Sequence, residues 1–368
     1  MEWTYSTKNT KSSGYEDVLD LLLELSKEYQ STEDEDLRNS IVDRVFNIYR
    51  GKNIFPITYY NEKGIESEIK KCYDKDVKWE GNVLNLKNNQ GGSLLRFLFP
   101  NQMSVTRNYT DPVSMEFKFN NDSKLRRAVV FALKYDKANP IGVLRGLRMI
   151  GGQTDTNFST MKAQAIYERF CPKKNAVIYD YSCGYGGRML GALTSKNNYK
   201  YIGIEPNTET YQNLLNLGKY VEKTLNRENS FEIHNTVSEN FKMKEGSIDF
   251  AFSSPPYFNL EQYTNEETQS YIKYNTLDKW YEGYVNPTLS NIYHMLKEDS
   301  MYAVNIADFG NGKKGKVEIV DRWVAESEKI GFEMVEQVYM KSETRKNNNF
   351  KTEDGYIEVK EGIFIFKK

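Results

Sequence analysis

The chain has 368 residues, 39% of them hydrophobic and 27% charged, which is room for a catalytic domain of roughly 200 residues plus an added part, with a core that needs no disulfide or metal staples. A formal net charge of −1 and a pI near 6.3 exclude a strongly basic nucleic-acid binder, although an enzyme that holds nucleic acid in one cleft needs only a local basic patch. Three scattered cysteines (Cys72, Cys171, Cys183) and two histidines (His234, His294) argue against a zinc site, a disulfide framework or a His-rich metal centre. No apolar run approaches the ~20 residues of a membrane span, and the first residues lack the layout of a signal peptide. A reduced, cytoplasmic protein is the expectation.

Residues 15–50 are predicted to form two helices. Val18, Leu21, Leu22 and Leu25 recur at helical spacing. A second helix is expected to open behind Ser31 and Thr32 and to stop at Gly51. From 51 to 124 short apolar runs mix with Asn, Gly and Lys, and FLFP (97–100) and MEFKFN (115–120) read as short strands between turns. Residues 125–150 carry Arg and Lys beside aliphatic residues, as an amphipathic helix with a solvated basic face would.

From about residue 158 helix and strand alternate, which means βαβ units and a largely parallel sheet. FSTMKAQAIYERFC is helical, NAVIYDY a first strand, KYIGIEPN a second, SFEIHNT a third and SIDFAFSSPPY a fourth, with helices between them. LDKWYEGYVNPTLSNIYHML is a further helix and SMYAVNIADF a fifth strand. The last two β-rich segments have no helix between them and are expected to pair antiparallel at one edge. The 27 Tyr suit stacking surfaces, but most are expected to pack along core edges.

Behind the first strand stands Asp180-Tyr181-Ser182-Cys183-Gly184-Tyr185-Gly186-Gly187-Arg188. Ligands of open α/β sheets bind outside the carboxyl ends of the strands. Gly184 and Gly186 let the backbone come close to a ligand, and a helix opening there favours a carboxylate, such as that of S-adenosylmethionine. Glu205, about 20 residues on, is placed to accept hydrogen bonds from ribose hydroxyls. Any dinucleotide- or nucleoside-binding sheet is compatible with this pair.

The fourth strand runs into Ser254-Pro255-Pro256-Tyr257. Proline is excluded from a central strand, so the pair lies beyond its carboxyl end, on the rim of the glycine turn. In this feature, and over residues 155–368, the chain resembles the family of S-adenosylmethionine-dependent DNA amino-methyltransferases that act on adenine N6 or cytosine N4. The resemblance implies a Rossmann-like methyltransferase sheet of seven strands with the last pair antiparallel, here carrying an added N-terminal α+β region. It implies S-adenosyl-L-methionine as cofactor and duplex DNA with a flipped base as partner. Ser254, Pro255, Pro256 and Tyr257 would be catalytic. An exocyclic amino nitrogen is a poor nucleophile, and Ser254 Oγ and the Pro255 carbonyl would draw it toward tetrahedral geometry. Tyr257 would stack on the extruded base. Phe158, Asp180, Ser182, Gly184, Gly186, Glu205, Asn207, Ser238 and Glu239 would surround the cofactor. The turn departs from the family in lacking a proline after Asp180. Serine in the signature leans toward cytosine, though both chemistries use it.

Cytosine C5 chemistry needs a nucleophilic Cys, and neither Cys171 nor Cys183 is placed as one. GNGKKGK (310–316) has P-loop spacing but Val317 where Ser or Thr must hold Mg²⁺, and reads as a basic loop. Only about 65 residues separate the glycine turn from the signature, a space filled by the βαβ pattern. Residues 1–150 are therefore left for target recognition, a structural cap or a partner platform, and residues 151–368 for catalysis. Phe258 and Tyr263 behind the signature, with Tyr271 and Tyr274, are candidates for stacking bases; Lys341 and Arg345, with Lys346 and Lys351, for phosphates. No membrane partner and no metal are expected, and an oligomer or partner subunit is left open. The alternatives are methylation of RNA or of a protein amide, and a non-catalytic protein that binds S-adenosylmethionine.

Overall fold

The computed structural model describes residues 10–76, 79–84, 90–107, 113–150, 157–310, 316–341 and 360–368. The chain forms two compact units. One comprises Met1–Ile65, Arg96–Thr156 and Glu261–Tyr263; the other Glu66–Leu95, Asn157–Leu260 and Thr264–Lys368. The division is interleaved, not a single cut at residue 150. Residues 66–95 join the second unit because Val83–Leu84 adds to its sheet and because the Trp79 indole donates to the Ala165 carbonyl at 3.2 Å.

The first unit is mainly helical, where an α+β region was expected. Its helices are α1 (Leu19–Ser31), α2 (Glu35–Lys52), α3 (Met115–Asn120), α4 (Asp122–Tyr135) and α5 (Pro140–Met149). Leu22, Leu25, Ile41, Val45, Leu125, Val129 and Leu147 meet in one apolar cluster. Both helices expected within 15–50 form, but their ends differ from the sequence reading. Asp34, not Ser31 or Thr32, caps α2 by accepting from Asp36 N and Leu37 N. The helix passes through Gly51 and stops at Asn53, which takes φ 50°. MEFKFN is helical because Ser114 caps it, accepting from Phe117 N at 3.1 Å. FLFP begins inside the helix Gly92–Leu98. The basic stretch 125–150 is two helices, since Asn139 and Pro140 start a new one. The remaining strands of this unit are two-residue pairings, such as Lys11–Ser12 with Tyr59–Tyr60.

The second unit holds the sheet. Its strands are β1 (Val177–Asp180), β2 (Lys200–Ile204), β3 (Phe231–His234), β4 (Ile248–Ser253), β5 (Leu296–Asn305), β6 (Glu333–Lys341) and β7 (Lys360–Lys367). They lie in the order β3-β2-β1-β4-β5-β7-β6, with Val83–Leu84 outside β6. Strands β1 to β5 are mutually parallel, and β7 is antiparallel to both β5 and β6. The fold is α/β and Rossmann-like. The expected antiparallel pair forms at one edge of the sheet, with β7 on the inner side against β5 and β6 on the outer side. The sheet also gains an eighth, two-residue strand. The connecting helices are α6 (Thr160–Phe170), α7 (Gly187–Leu193), α8 (Thr208–Leu225), α9 (Asn286–Met295) and α10 (Val320–Ile330). The order reverses between β1 and β4. With right-handed crossovers this opens a crevice at their carboxyl ends.

Tyrosine builds much of this core. Tyr167, Tyr179, Tyr181, Tyr199, Tyr201 and Tyr302 are fully buried. Tyr302 on β5 stands opposite Phe366 on β7 in the ladder, and their rings stack 4.7 Å apart. Directly opposed aromatic pairs contribute beyond the area they bury.

Candidate functional site: the carboxyl rim of the sheet

The glycine turn follows β1 and is shaped by close approach. Gly184 and Gly186 have φ 55° and 75°, in the left-handed region that only glycine enters cheaply. A Cβ on Gly184 would meet nothing within 4 Å, so this backbone faces open space. Gly187 differs: a Cβ there would lie 1.9 Å from the Phe158 carbonyl. Residues 157–159, ahead of α6, thus pass directly against the turn, and Asn157 Nδ2 donates to the Tyr185 carbonyl at 2.7 Å. Phe158 is half-buried, edge-on to Phe252 of β4 and beneath the Arg188 guanidinium.

Asp180 is completely buried. It accepts from Arg188 Nε (2.8 Å), Ser253 Oγ (2.8 Å), Tyr201 OH (2.7 Å) and Ser182 N (3.2 Å). Arg188 also donates to the Ser182 carbonyl. The carboxylate is committed to protein donors, so the expected direct contact with cofactor gives way to an organising one. Asp180 locks the turn to β2, to α7 and to the end of β4.

Glu205 directly follows β2 and is 7% exposed. Its Oε2 accepts from Gly184 N at 3.0 Å and its Oε1 from Asn207 N at 2.9 Å. Burial pushes the carboxyl up to about 8, against the pull of these two N–H groups. Each oxygen keeps acceptor capacity for a hydroxyl. The Asn207 side chain is used elsewhere than expected: it caps α8, accepting from Thr210 N at 2.9 Å. Ser238 is buried and shares a hydrogen bond with Thr288 at 3.1 Å. Glu239 accepts from Lys273 Nζ at 3.1 Å and Tyr274 OH at 3.2 Å.

Ser182 leads to a residue that the sequence reading missed. Its Oγ lies 3.0 Å from Tyr284 OH, and burial pushes this phenol up. Tyr284 belongs to a single wide helical turn, Tyr281–Val285, closed by Asn286 N donating to the Tyr281 carbonyl five residues back. Pro287 has no N–H for the ordinary bond to residue 283, which makes room for the wide turn. A proline inside a helical pattern was the available signal. Gly283 fits against the Tyr274 ring, where a Cβ would come within 2.1 Å.

Beyond Ser253 the chain leaves the sheet as Ser254–Tyr257. β4 pairs with β1 through Ile178↔Phe250 and Tyr179↔Ala251, so the prolines and the glycine turn leave neighbouring strands at the same end. Ser254 is partly exposed and Pro255 buried. Among the described residues none donates to Ser254 Oγ or to the Pro255 carbonyl. Tyr257 is partly exposed, and its hydroxyl donates to the Asn305 carbonyl at the end of β5, 3.3 Å away. Phe258 turns inward with φ 48°. It is 8% exposed and packs edge-on against Trp280, so the expectation that it stacks a base fails on burial. Tyr263 falls in the helical unit, its hydroxyl on Glu261, and Tyr271 donates to the Thr264 carbonyl. Lys341 ends β6, but its side chain lies outside the described residues, as do Arg345, Lys346 and Lys351.

No cysteine is prepared as a nucleophile. Burial pushes Cys171 up to about 11, Cys72 up to about 12 and Cys183 well above its ordinary value. Among the described residues no cluster of His, Cys, Asp and Glu is arranged to hold a metal, and no helix is long and apolar enough to cross a membrane.

No protein-family description and no curated protein matches this chain. Solved structures do. A TehB-like SAM-dependent methyltransferase from Corynebacterium glutamicum aligns with 56% of this chain and 88% of its own length, at 15% identity and a TM-score of 0.33. A SAM-dependent methyltransferase from Aquifex aeolicus aligns with 56% of this chain and 88% of its own, at 12% identity and a TM-score of 0.34. The 1,6-didemethyltoxoflavin-N1-methyltransferase of Burkholderia thailandensis, solved with S-adenosylhomocysteine, aligns with 57% of this chain and 77% of its own, at 10% identity and a TM-score of 0.36. At these values the chemistry has to be read from the residues themselves.

Proposed function

We propose that this chain transfers a methyl group from S-adenosylmethionine to the exocyclic amino group of adenine (N6) or cytosine (N4) in DNA. One observation carries the reading. Ser254–Tyr257 and the glycine turn leave adjacent parallel strands at the same end, and the Ser253–Asp180 hydrogen bond joins them at 2.8 Å.

The cofactor region fits the group. Gly184 offers open backbone, Glu205 buried acceptors for two ribose hydroxyls, and Phe158 a half-buried ring. Bound S-adenosylmethionine supplies an already activated methyl carbon. The protein's own task is then orientation. Ser254 Oγ and the Pro255 carbonyl accept from the amino N–H groups and localise the nitrogen lone pair. The Pro-Pro unit holds that carbonyl still. Tyr257, fixed at its hydroxyl by Asn305, presents its ring to the base. No covalent intermediate is required.

The test is incubation with methyl-labelled S-adenosylmethionine and duplex DNA, followed by digestion to nucleosides. Label in N6-methyladenine or N4-methylcytosine is the expected result. Label confined to RNA or to a protein amide, or bound cofactor with no transfer, overturns the DNA assignment.

A further inference from the structure

We infer that the α4–α5 hairpin is a docking surface for a DNA duplex, with α5 along the major groove and the cations of α4 on phosphates. The inference deepens the reading above and rests on it. The link between the helices spans residues 136–139, the length found in helix-turn-helix pairs. It is held from beneath: Ala138 N donates to Ser26 Oγ at 2.8 Å, and Tyr49 OH donates to the Ala138 carbonyl at 2.9 Å. The two helices touch at backbone level, since a Cβ on Gly146 would lie 2.4 Å from the Ala128 carbonyl. The hairpin is therefore a rigid platform.

What it shows to solvent is unlike an ordinary helix surface. α5 buries Val143, Leu144 and Leu147 and leaves Ile141 (65% exposed), Arg145 and Met149 (48% exposed) uncovered. These three are spaced i, i+4, i+8, so they form one stripe. Aliphatic groups suit thymine methyls and a guanidinium suits guanine, which is the chemistry of major-groove readout. Arg145 is held ready by an exposed ion pair with Asp136. Arg127 and Lys134 on α4 and Lys137 in the link are exposed. Among the described residues these three make no ion pair, whereas their neighbour Arg126 is paired to Asp43. Lys134 Nζ lies 5.1 Å from the centroid of the exposed Tyr135 ring, and cations without a carboxylate partner on one hairpin of a chain with net charge −1 give a local field suited to phosphates. The deep, narrow major groove of an RNA helix would not admit α5.

The experiment uses the full chain and a fluorescent DNA duplex, titrated at several salt concentrations. One variant combines Arg127→Ala, Lys134→Ala and Lys137→Ala; the other combines Ile141→Ser, Arg145→Ala and Met149→Ser. All six side chains are exposed, so melting temperatures should stay near wild type. The first variant should bind every duplex about tenfold or more weakly, with a salt slope smaller by about 2 to 3. The second should lose discrimination between duplex sequences. S-adenosylmethionine binding should be unchanged in both. A wild-type protein that neither binds nor methylates duplex DNA overturns the DNA reading together with this surface. A wild-type protein that does both, with variants of unchanged salt slope and sequence preference, overturns the surface alone. A preference for RNA duplexes, or variants that lose only self-association, also overturns it.

Discussion

Two carboxylates that the sequence placed side by side in one role turn out to differ. Asp180 is saturated with donors and forms a buried ion pair with Arg188. Asp180→Ala would leave a buried guanidinium unpaired, at a cost of about 3–5 kcal/mol, so chemical denaturation should show a fold-wide loss of stability, not just weaker cofactor binding. Glu205 is the one with capacity left. Its folded value of about 8 lies above its unfolded value near 4.5. The folded state therefore holds an extra proton between these pH values, and the associated stability is present in acid and lost as pH rises through about 8. The total is about 5 kcal/mol. Denaturant melts at pH 6 and pH 9 should differ in wild type and converge in Glu205→Gln. Ribose hydroxyls favour the ionised form, so cofactor binding should release a proton near neutrality. Calorimetry in buffers of different ionisation enthalpy measures that release. Tyr257→Ala should keep cofactor affinity yet lose stacking worth about 1–3 kcal/mol, or roughly 10- to 100-fold in kcat/KM. Asp180 and Glu205 were legible as acidic residues at strand ends. Their division of labour was not, because it depends on Arg188, Tyr201 and Ser253 arriving from three other places in the chain.

At the scale of elements, local rules conflict with packing in instructive places. An alanine at Gly187 would favour α7 by about 1 kcal/mol on propensity alone. The Phe158 carbonyl, 1.9 Å from that Cβ, outweighs it, and Gly187→Ala should destabilise by about 1–3 kcal/mol and displace the lead into α6, read as weaker cofactor binding by calorimetry. The wide turn at Tyr281–Val285 aims Tyr284 at Ser182. Tyr284→Phe should cost about 1 kcal/mol of folding stability, the value of one buried hydrogen bond, measurable by denaturant melts. The alternating helices and strands after residue 158 were readable because their apolar runs are long and periodic. MEFKFN was not: six residues fit either period, and the Ser114 cap decided the outcome.

At the scale of the whole molecule, the parallel sheet was implied by the βαβ pattern, whereas the reversal of strand order between β1 and β4 was not, since alternation alone does not set strand order. The interleaving of residues 66–95 with the sheet unit was invisible in sequence, since a two-residue strand, Val83–Leu84, carries no periodicity. Nor did the pattern reveal that β7, the last strand in the chain, would lie in the interior of the sheet. That placement bears on biogenesis. Until residues 360–367 leave the ribosome, β5 and β6 each present a row of unpaired backbone groups, and both are open to pairing with another nascent chain. Truncation before Lys360 should give insoluble protein, scored by the soluble fraction on expression. Emergence of residues 360–367 is thus the event that joins β5 to β6 and closes both exposed edges.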